Sequence, residues 1–270
     1  MRWTRGYGSD DVEDRRAAGP SMGGAGGIGI LMWLFSRFGL PGLLVGGALL
    51  YFAGGLNLGG GGSEPNDQAA SHATGGAEDP EKDAVSFVSF VLDDVQKSWV
   101  EPFSTVQRRY TPARMVLFRG STNSACGLGQ RAMGPFYCPR DSKVYIDLSF
   151  YRELRDKLGA PGDFAQAYVI AHEIGHHVQH QLGLDDPGVK MELQADCLAG
   201  VWASSAERRN LLEVGDIDEA LNAASAIGDD KLQRDATGTV RPETFTHGSS
   251  AQRVNAFKTG YRGGSLESCR

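Results

Sequence analysis

The sequence predicts an α+β fold, a mostly helical domain with a small β element, preceded by one N-terminal transmembrane helix. Three observations carry this expectation. Phe38 to Leu58 is an uncharged, mostly apolar run of 21 residues, and about 20 suffice to cross a bilayer as a helix. Two short runs, "ARMVLF" and "KVYIDL", lean towards strand. Beyond residue 150, apolar residues recur at helical spacing between nameable caps.

The chain has 270 residues, room for one sizeable core. Its 41% apolar and 22% charged residues are ordinary for a globular protein. A formal charge of -6, with no basic stripe beyond pairs such as Arg108-Arg109, argues against a nucleic-acid partner.

Residues 1–27 read as a cytoplasmic N-terminal tail, where Arg2, Arg5, Arg15 and Arg16 mix with Asp10, Asp11, Glu13 and Asp14 before glycine-rich sequence. Residues 28–58 read as a transmembrane anchor region. A buried core helix or a glycine-rich linker fits less well, given the length and the absence of charge on every face. A cleavable signal peptide also fits less well, because the charged leader is long and carries acids. Arginines crowd before the span and none follows until Arg108. The positive-inside rule then puts the N-terminus in the cytoplasm and exports the rest. Residues 59–78 have the composition of a flexible linker.

The domain is expected over residues 79–270. Asp79 and Pro80 suit a helix start, followed by Val85, Val88, Leu92, Val95 and Trp99 at helical spacing. "ARMVLF" and "KVYIDL" supply the β element. Asp163 with Gln166 resembles a capping box, and Gly183 ends that helix. Asp186-Pro187 opens the next, Asp216 with Glu219 a third, and Ser249 with Gln252 a fourth. An even count of four cysteines on an exported domain suggests disulfides. Of the three possible pairings, Cys126 with Cys138 closes a Gly/Pro-rich loop, and Cys197 with Cys269 staples the C-terminal tail.

Four of the six histidines fall within "HEIGHHVQH", residues 172–180. The helix from Asp163 to Leu182 has an apolar stripe of Phe164, Ala167, Ala171, Ile174, Val178 and Leu182, so it packs on a core. His172 and His176 are four apart and share a face, which lets two imidazoles converge on one metal ion. Glu173 lies at the next angular step, within reach of a water on that ion but outside the ligand set. His177 and His180 are rotated off this face and read as solvated or supporting residues. A catalytic zinc needs a third protein ligand and an open position. "MELQADCLAG" provides Glu192 and Asp196, again four apart, in an apolar stretch where carboxylates are costly unless paired or metal-bound. Glu192 is the expected third ligand and Asp196 the residue that orients a ligand histidine. Two surface acids or a salt bridge are the alternative. Two helices that each offer such a pair favour the metal.

"AHEIGHHVQHQLG" with "ELQADCLAG" resembles a gluzincin-type metallopeptidase, and the chain is similar to a bacterial family of predicted neutral zinc metallopeptidases with an N-terminal membrane anchor. "CGLGQRAMGPFYCPRDSKVYIDLSF", "AIGDDKLQ" and "FTHGSSAQRVNAFKTG" extend the likeness over nearly the whole chain. The resemblance implies a zincin-like domain with one zinc ion held by His172, His176 and Glu192, Glu173 as general base, and Asp196 holding His172. It further implies that His247 or Arg253 stabilises the oxyanion. "KVYIDLSF" is then either an edge strand that aligns a peptide substrate or an internal strand with Tyr145 and Asp147 on one face. The expected protein is a single-pass endopeptidase of the bacterial inner membrane with its catalytic domain outside and a peptide or protein as substrate. The alternative is a non-catalytic, zinc-dependent envelope module, which has no need of Glu173.

Overall fold

A computed structural model describes residues 1–17, 79–184 and 187–270. Strands β1 (Val12–Asp14), β2 (Arg114–Phe118), β5 (Phe136–Cys138) and β6 (Lys143–Asp147) form a four-stranded sheet in the order β1, β2, β6, β5. The first three in that order are parallel and β5 runs antiparallel to β6. Strands β2 and β6 are buried along almost their whole length, as expected for central strands with continuous apolar runs. "KVYIDL" is therefore internal, and the edge positions belong to β1 and β5. A separate hairpin pairs β3 (Ser121–Ser124) with β4 (Gly127–Gln130).

The helices are α1 (Lys82–Ser98), α2 (Val100–Thr105), α3 (Ser149–Asp156), α4 (Asp163–Leu182), α5 (Val189–Arg208), α6 (Asp216–Ala226), α7 (Asp229–Thr237) and α8 (Ser250–Gly263). Helix α5 starts at Val189, after the expected Asp186-Pro187, of which Asp186 lies outside the described residues. The Ser249/Gln252 capping box forms as expected. The other two do not, for a tertiary reason. Asp163 and Asp216 turn to the Met1 ammonium, 2.7 and 3.4 Å away. Glu219 reaches across to accept the Phe164 amide of α4 at 3.0 Å, so it caps a neighbour and not its own helix.

The N-terminal tail is corrected over residues 1–17, which are part of the folded unit. Val12 to Asp14 pair with Met115 to Leu117. Arg16 ties the two flanks of the intervening segment together through Asp14, Asp79 and Glu81 at 2.7, 2.6 and 2.9 Å. Tyr7 and Ser9 both donate to Asp93 of α1. The transmembrane part of the fold class and the single-pass localisation are corrected with it. A chain that crosses a bilayer once leaves its flanks on opposite sides, whereas these flanks share one sheet. No helix among the described residues is long and apolar enough to cross a membrane. The span expected at 28–58 and the linker at 59–78 themselves lie outside the described residues.

The core gathers α1, α4, α5 and the inner face of the sheet, with Trp99, Trp202, Tyr168 and Phe164 wholly inside. Phe164 stacks on Trp202 at 5.3 Å. Helices α5 and α8 meet backbone to backbone. A Cβ added at Gly260 would sit 1.8 Å from the Cys197 carbonyl oxygen. Both expected disulfides form, Cys126–Cys138 and Cys197–Cys269, and the second fastens the C-terminus to this helix pair.

Gly260→Ala is expected to lower stability by roughly 3 kcal/mol, because backbone has no rotamer with which to yield. Denaturant unfolding reads this as a lower midpoint at unchanged slope, and an unchanged midpoint would contradict the packing. A second expectation concerns the docking of β1. Glu13 accepts from Arg15 at 2.7 Å and Lys143 of β6 at 2.9 Å, which holds its carboxyl at about 2, below the usual 4.5. A depressed pKa stabilises the fold above 4.5, and that stabilisation is lost as pH falls towards 2. The stability difference between wild type and Glu13→Gln should therefore shrink over this window; a constant difference would contradict the docked strand.

Candidate metal centre

Helix α4 carries the centre, and its ends are fixed by Gly162 in extended conformation and Gly183 in the left-handed region, φ 72°. His172 and His176 stand one turn apart with ring centroids separated by 4.8 Å. Helix α5 crosses close beside them because Gly175, between the two, has no side chain. A Cβ there would lie 3.0 Å from the Ala195 carbonyl oxygen. That approach brings Glu192 over the imidazoles, with Oε2 3.2 Å from His172 Nε2 and Oε1 3.5 Å from His176 Nε2. One donor atom from each residue lies within 4.8 Å of the other two.

The outer nitrogens are held as well. His172 Nδ1 donates to Asp196 Oδ1 at 2.8 Å, and His176 Nδ1 donates to Gln179 Oε1 at 2.8 Å. These contacts turn both Nε2 atoms inwards as donors to an ion. Asp196 is itself fully buried and gripped on three sides. Tyr168 donates to it at 2.5 Å, and Arg253 donates through Nε and Nη2 at 2.8 Å each.

The set demands positive charge. Burial disfavours the His172 imidazolium, yet Asp196 and Glu192 outweigh it and push the pKa up to about 10. Burial raises the Glu192 and Asp196 carboxyls, but the imidazoles for the first, and Arg253 with His172 for the second, hold both well below the usual range. Two imidazole nitrogens and one ionised carboxylate that converge fit a divalent cation, and this donor set suits zinc. Glu173 stands beside them outside the donor set, with its pKa raised by burial against the pull of His172 and His176. The Tyr151 hydroxyl, close enough to feel that carboxylate, is buried without a hydrogen-bond partner.

A cleft of about 640 Å³ opens onto the centre, and Glu173, His172, His176 and Glu192 all line it. His247 lines it too, half-exposed, with Nδ1 3.1 Å from Asp229 Oδ1. Asp229 is in turn fixed by the amides of Thr246, His247 and Gly248. Arg253 reaches the cleft but binds Asp196, Tyr168 and the Ile227 carbonyl. His177 is off the metal face as expected, but it is buried and not solvated: Tyr137 of β5 and the Thr111 carbonyl engage its two nitrogens at 2.9 and 2.7 Å. His180 lines the cleft.

A family model described as "Putative neutral zinc metallopeptidase" matches residues 1–188 and 185–270. The chain belongs to this family. It is 45% identical over 292 residues to "Uncharacterized protein YpfJ" of Escherichia coli (strain K12), covering 100% of this chain and 98% of that protein. It is 43% identical over 182 residues to "Uncharacterized protein Rv2575" of Mycobacterium tuberculosis, covering 59% of this chain and 62% of that protein. No solved structure gives a significant match.

Sequence reasoning missed Tyr168, Gln179 and Asp229. Tyr168 and Gln179 lie on α4 at four and three residues from His172 and His176, so helical spacing holds their signal. Asp229 has none, since only the fold brings it to His247. Of the contacts around the centre, Asp196 is the most exacting. Asp196→Asn should weaken zinc affinity about 10- to 100-fold, measured by competition with a chromophoric chelator; wild-type affinity in that variant would contradict the assigned hold on His172.

Proposed function

We propose that this member of the zinc metallopeptidase family is an endopeptidase that hydrolyses peptide bonds at the α4–α5 centre, with His172, His176 and Glu192 as the protein ligands of one zinc ion. The observation that carries this reading is Glu173. A buried carboxylate of raised pKa beside a three-donor set, facing an open cleft, has the properties of a general base. A purely structural zinc is closed by a fourth protein ligand, and among the described residues only these three donors converge here.

When bound, zinc supplies Lewis acidity and lowers the pKa of its water. The chain's own residues do the rest. Glu173 accepts the proton from the attacking water and delivers it to the leaving amine, so the C–N bond breaks as one water is added across it. His247, oriented through Nδ1 by Asp229, donates towards the oxygen that gains negative charge. Arg253 is a positioning residue in this scheme. Its guanidinium neutralises Asp196, which keeps the Nδ1 proton on His172 and the Nε2 lone pair inward. The bridge from Tyr137 to His177 fixes the edge strand β5 against α4, where an extended substrate can add its own backbone to the sheet.

Glu173→Gln should retain about wild-type zinc and lose roughly 100- to 10,000-fold in hydrolysis of a casein-type unfolded substrate. Metal analysis and turnover read the two effects separately. Full turnover in that variant would end the proposed role of Glu173.

A further inference from the structure

The cleft wall beside the centre is built from two pieces of chain that the catalytic scheme does not use. One is the segment Arg131 to Pro135 ahead of β5, whose Met133 is 64% exposed while lining the cleft. The Cys126–Cys138 disulfide closes the loop that carries this segment, and Gly134 rests on the Phe150 ring, 3.9 Å from where its Cβ would be. The other is α3 with the turn that follows it, which contributes Phe150 and Leu158. Phe150 and Leu158 are partly buried beside the exposed Met133, and an apolar concave surface of this kind marks a place where something apolar binds. Methionine in particular adapts to varied apolar partners.

The charges in the cleft support the same partner. Apart from the metal donors and Glu173, the charged side chains lining it are Arg131, Glu153 and Arg253. Arg131 and Glu153 face each other at 3.8 Å, and Arg253 is bound to Asp196. The wall therefore pairs charges of opposite sign and carries no net charge of its own that favours an acidic or a basic side chain. The open edge of β5 adjoins this wall through Phe136 and Tyr137, and its geometry suits an extended backbone.

We propose that the substrate is an extended, unfolded polypeptide segment with a large apolar residue flanking the scissile bond, its side chain seated against Met133, Phe150 and Leu158. This rests on the endopeptidase reading and adds a specificity to it. A folded protein seldom offers such a segment, since its large apolar residues are inside. The natural supply is denatured or unassembled chains.

The test uses the full chain loaded with zinc and a library of quenched fluorescent peptides that vary one residue on each side of the cut. Leucine, methionine or phenylalanine at one flanking position should exceed aspartate there by about tenfold or more in kcat/KM. Met133→Lys should shift that ratio towards aspartate by about tenfold with zinc content unchanged. Cleavage with no side-chain preference on either side, or an equal effect of Met133→Lys on every peptide, would overturn the specificity. Binding separates this outcome from failure of the peptidase reading. Glu173→Gln loaded with zinc should bind a labelled leucine-containing peptide saturably, and its aspartate analogue at least about tenfold more weakly, by fluorescence anisotropy. Such binding with no cleavage of any peptide by the wild type would sink the endopeptidase reading and keep the apolar subsite. Equal binding of both peptides, or none, overturns the subsite.

Discussion

The structure turns on the buried carboxylate of Asp196. A charge with no solvent access is tolerated only if its partners replace water, and here Arg253, Tyr168 and His172 do so from three different positions of the fold. Arg253 comes from α8, Tyr168 and His172 from successive turns of α4, and Asp196 itself from α5. One carboxylate thereby fixes the mutual placement of three helices and the ring orientation of His172. Loss of one partner leaves the remainder buried and uncompensated, so the demands of folding and of the metal site fall on the same atoms.

Close helix contact makes this possible. Gly175 lets α5 approach α4 at Ala195, and Gly260 lets α8 approach α5 at Cys197. Side chains along these close contacts can then meet: Glu192, three residues before Ala195, reaches two imidazoles, and Arg253, seven residues before Gly260, reaches Asp196. Beyond them, β5 is held by Tyr137 and His177, and His247 by Asp229. The centre thus has a rigid floor of helices, while the wall around Met133 comes from a loop tied at its base by a disulfide.

Much of the centre was legible in the sequence because its spacings are local. The pairs at 172/176 and 192/196 share helix faces by geometry alone, and the apolar stripe of α4 states which face is buried. The disulfide pairing was one of three that the sequence left open, chosen because two cysteines bracket a loop and another adjoins the terminus, and the fold forms it. Features that depend on distant partners were not legible. Asp163 and Glu219 look like local caps, but a terminal ammonium and a neighbouring helix outcompete their own backbones. His177 looks like a surface residue until β5 and Thr111 enclose it, and Arg253 looks like a group free to meet substrate until Asp196 is found beneath it. Hydropathy also misled at the N-terminus. A mixed-charge stretch with many arginines reads as a tail, and only strand pairing shows that Glu13 bridges β1 to Lys143 of β6 while Arg16 holds Asp79 and Glu81.

The central claim is that one zinc ion is held by two imidazole nitrogens and the Glu192 carboxylate, with a position left for water and substrate. X-ray absorption at the zinc edge of the metal-loaded full chain tests it most directly. Two nitrogen scatterers of imidazole type at about 2.0–2.1 Å and oxygen scatterers at about 2.0–2.2 Å are expected, with one oxygen exchanging for an added anion and the imidazole signal halved in His176→Ala. Sulfur in the first shell, a third imidazole, or a spectrum unchanged by that substitution would contradict it.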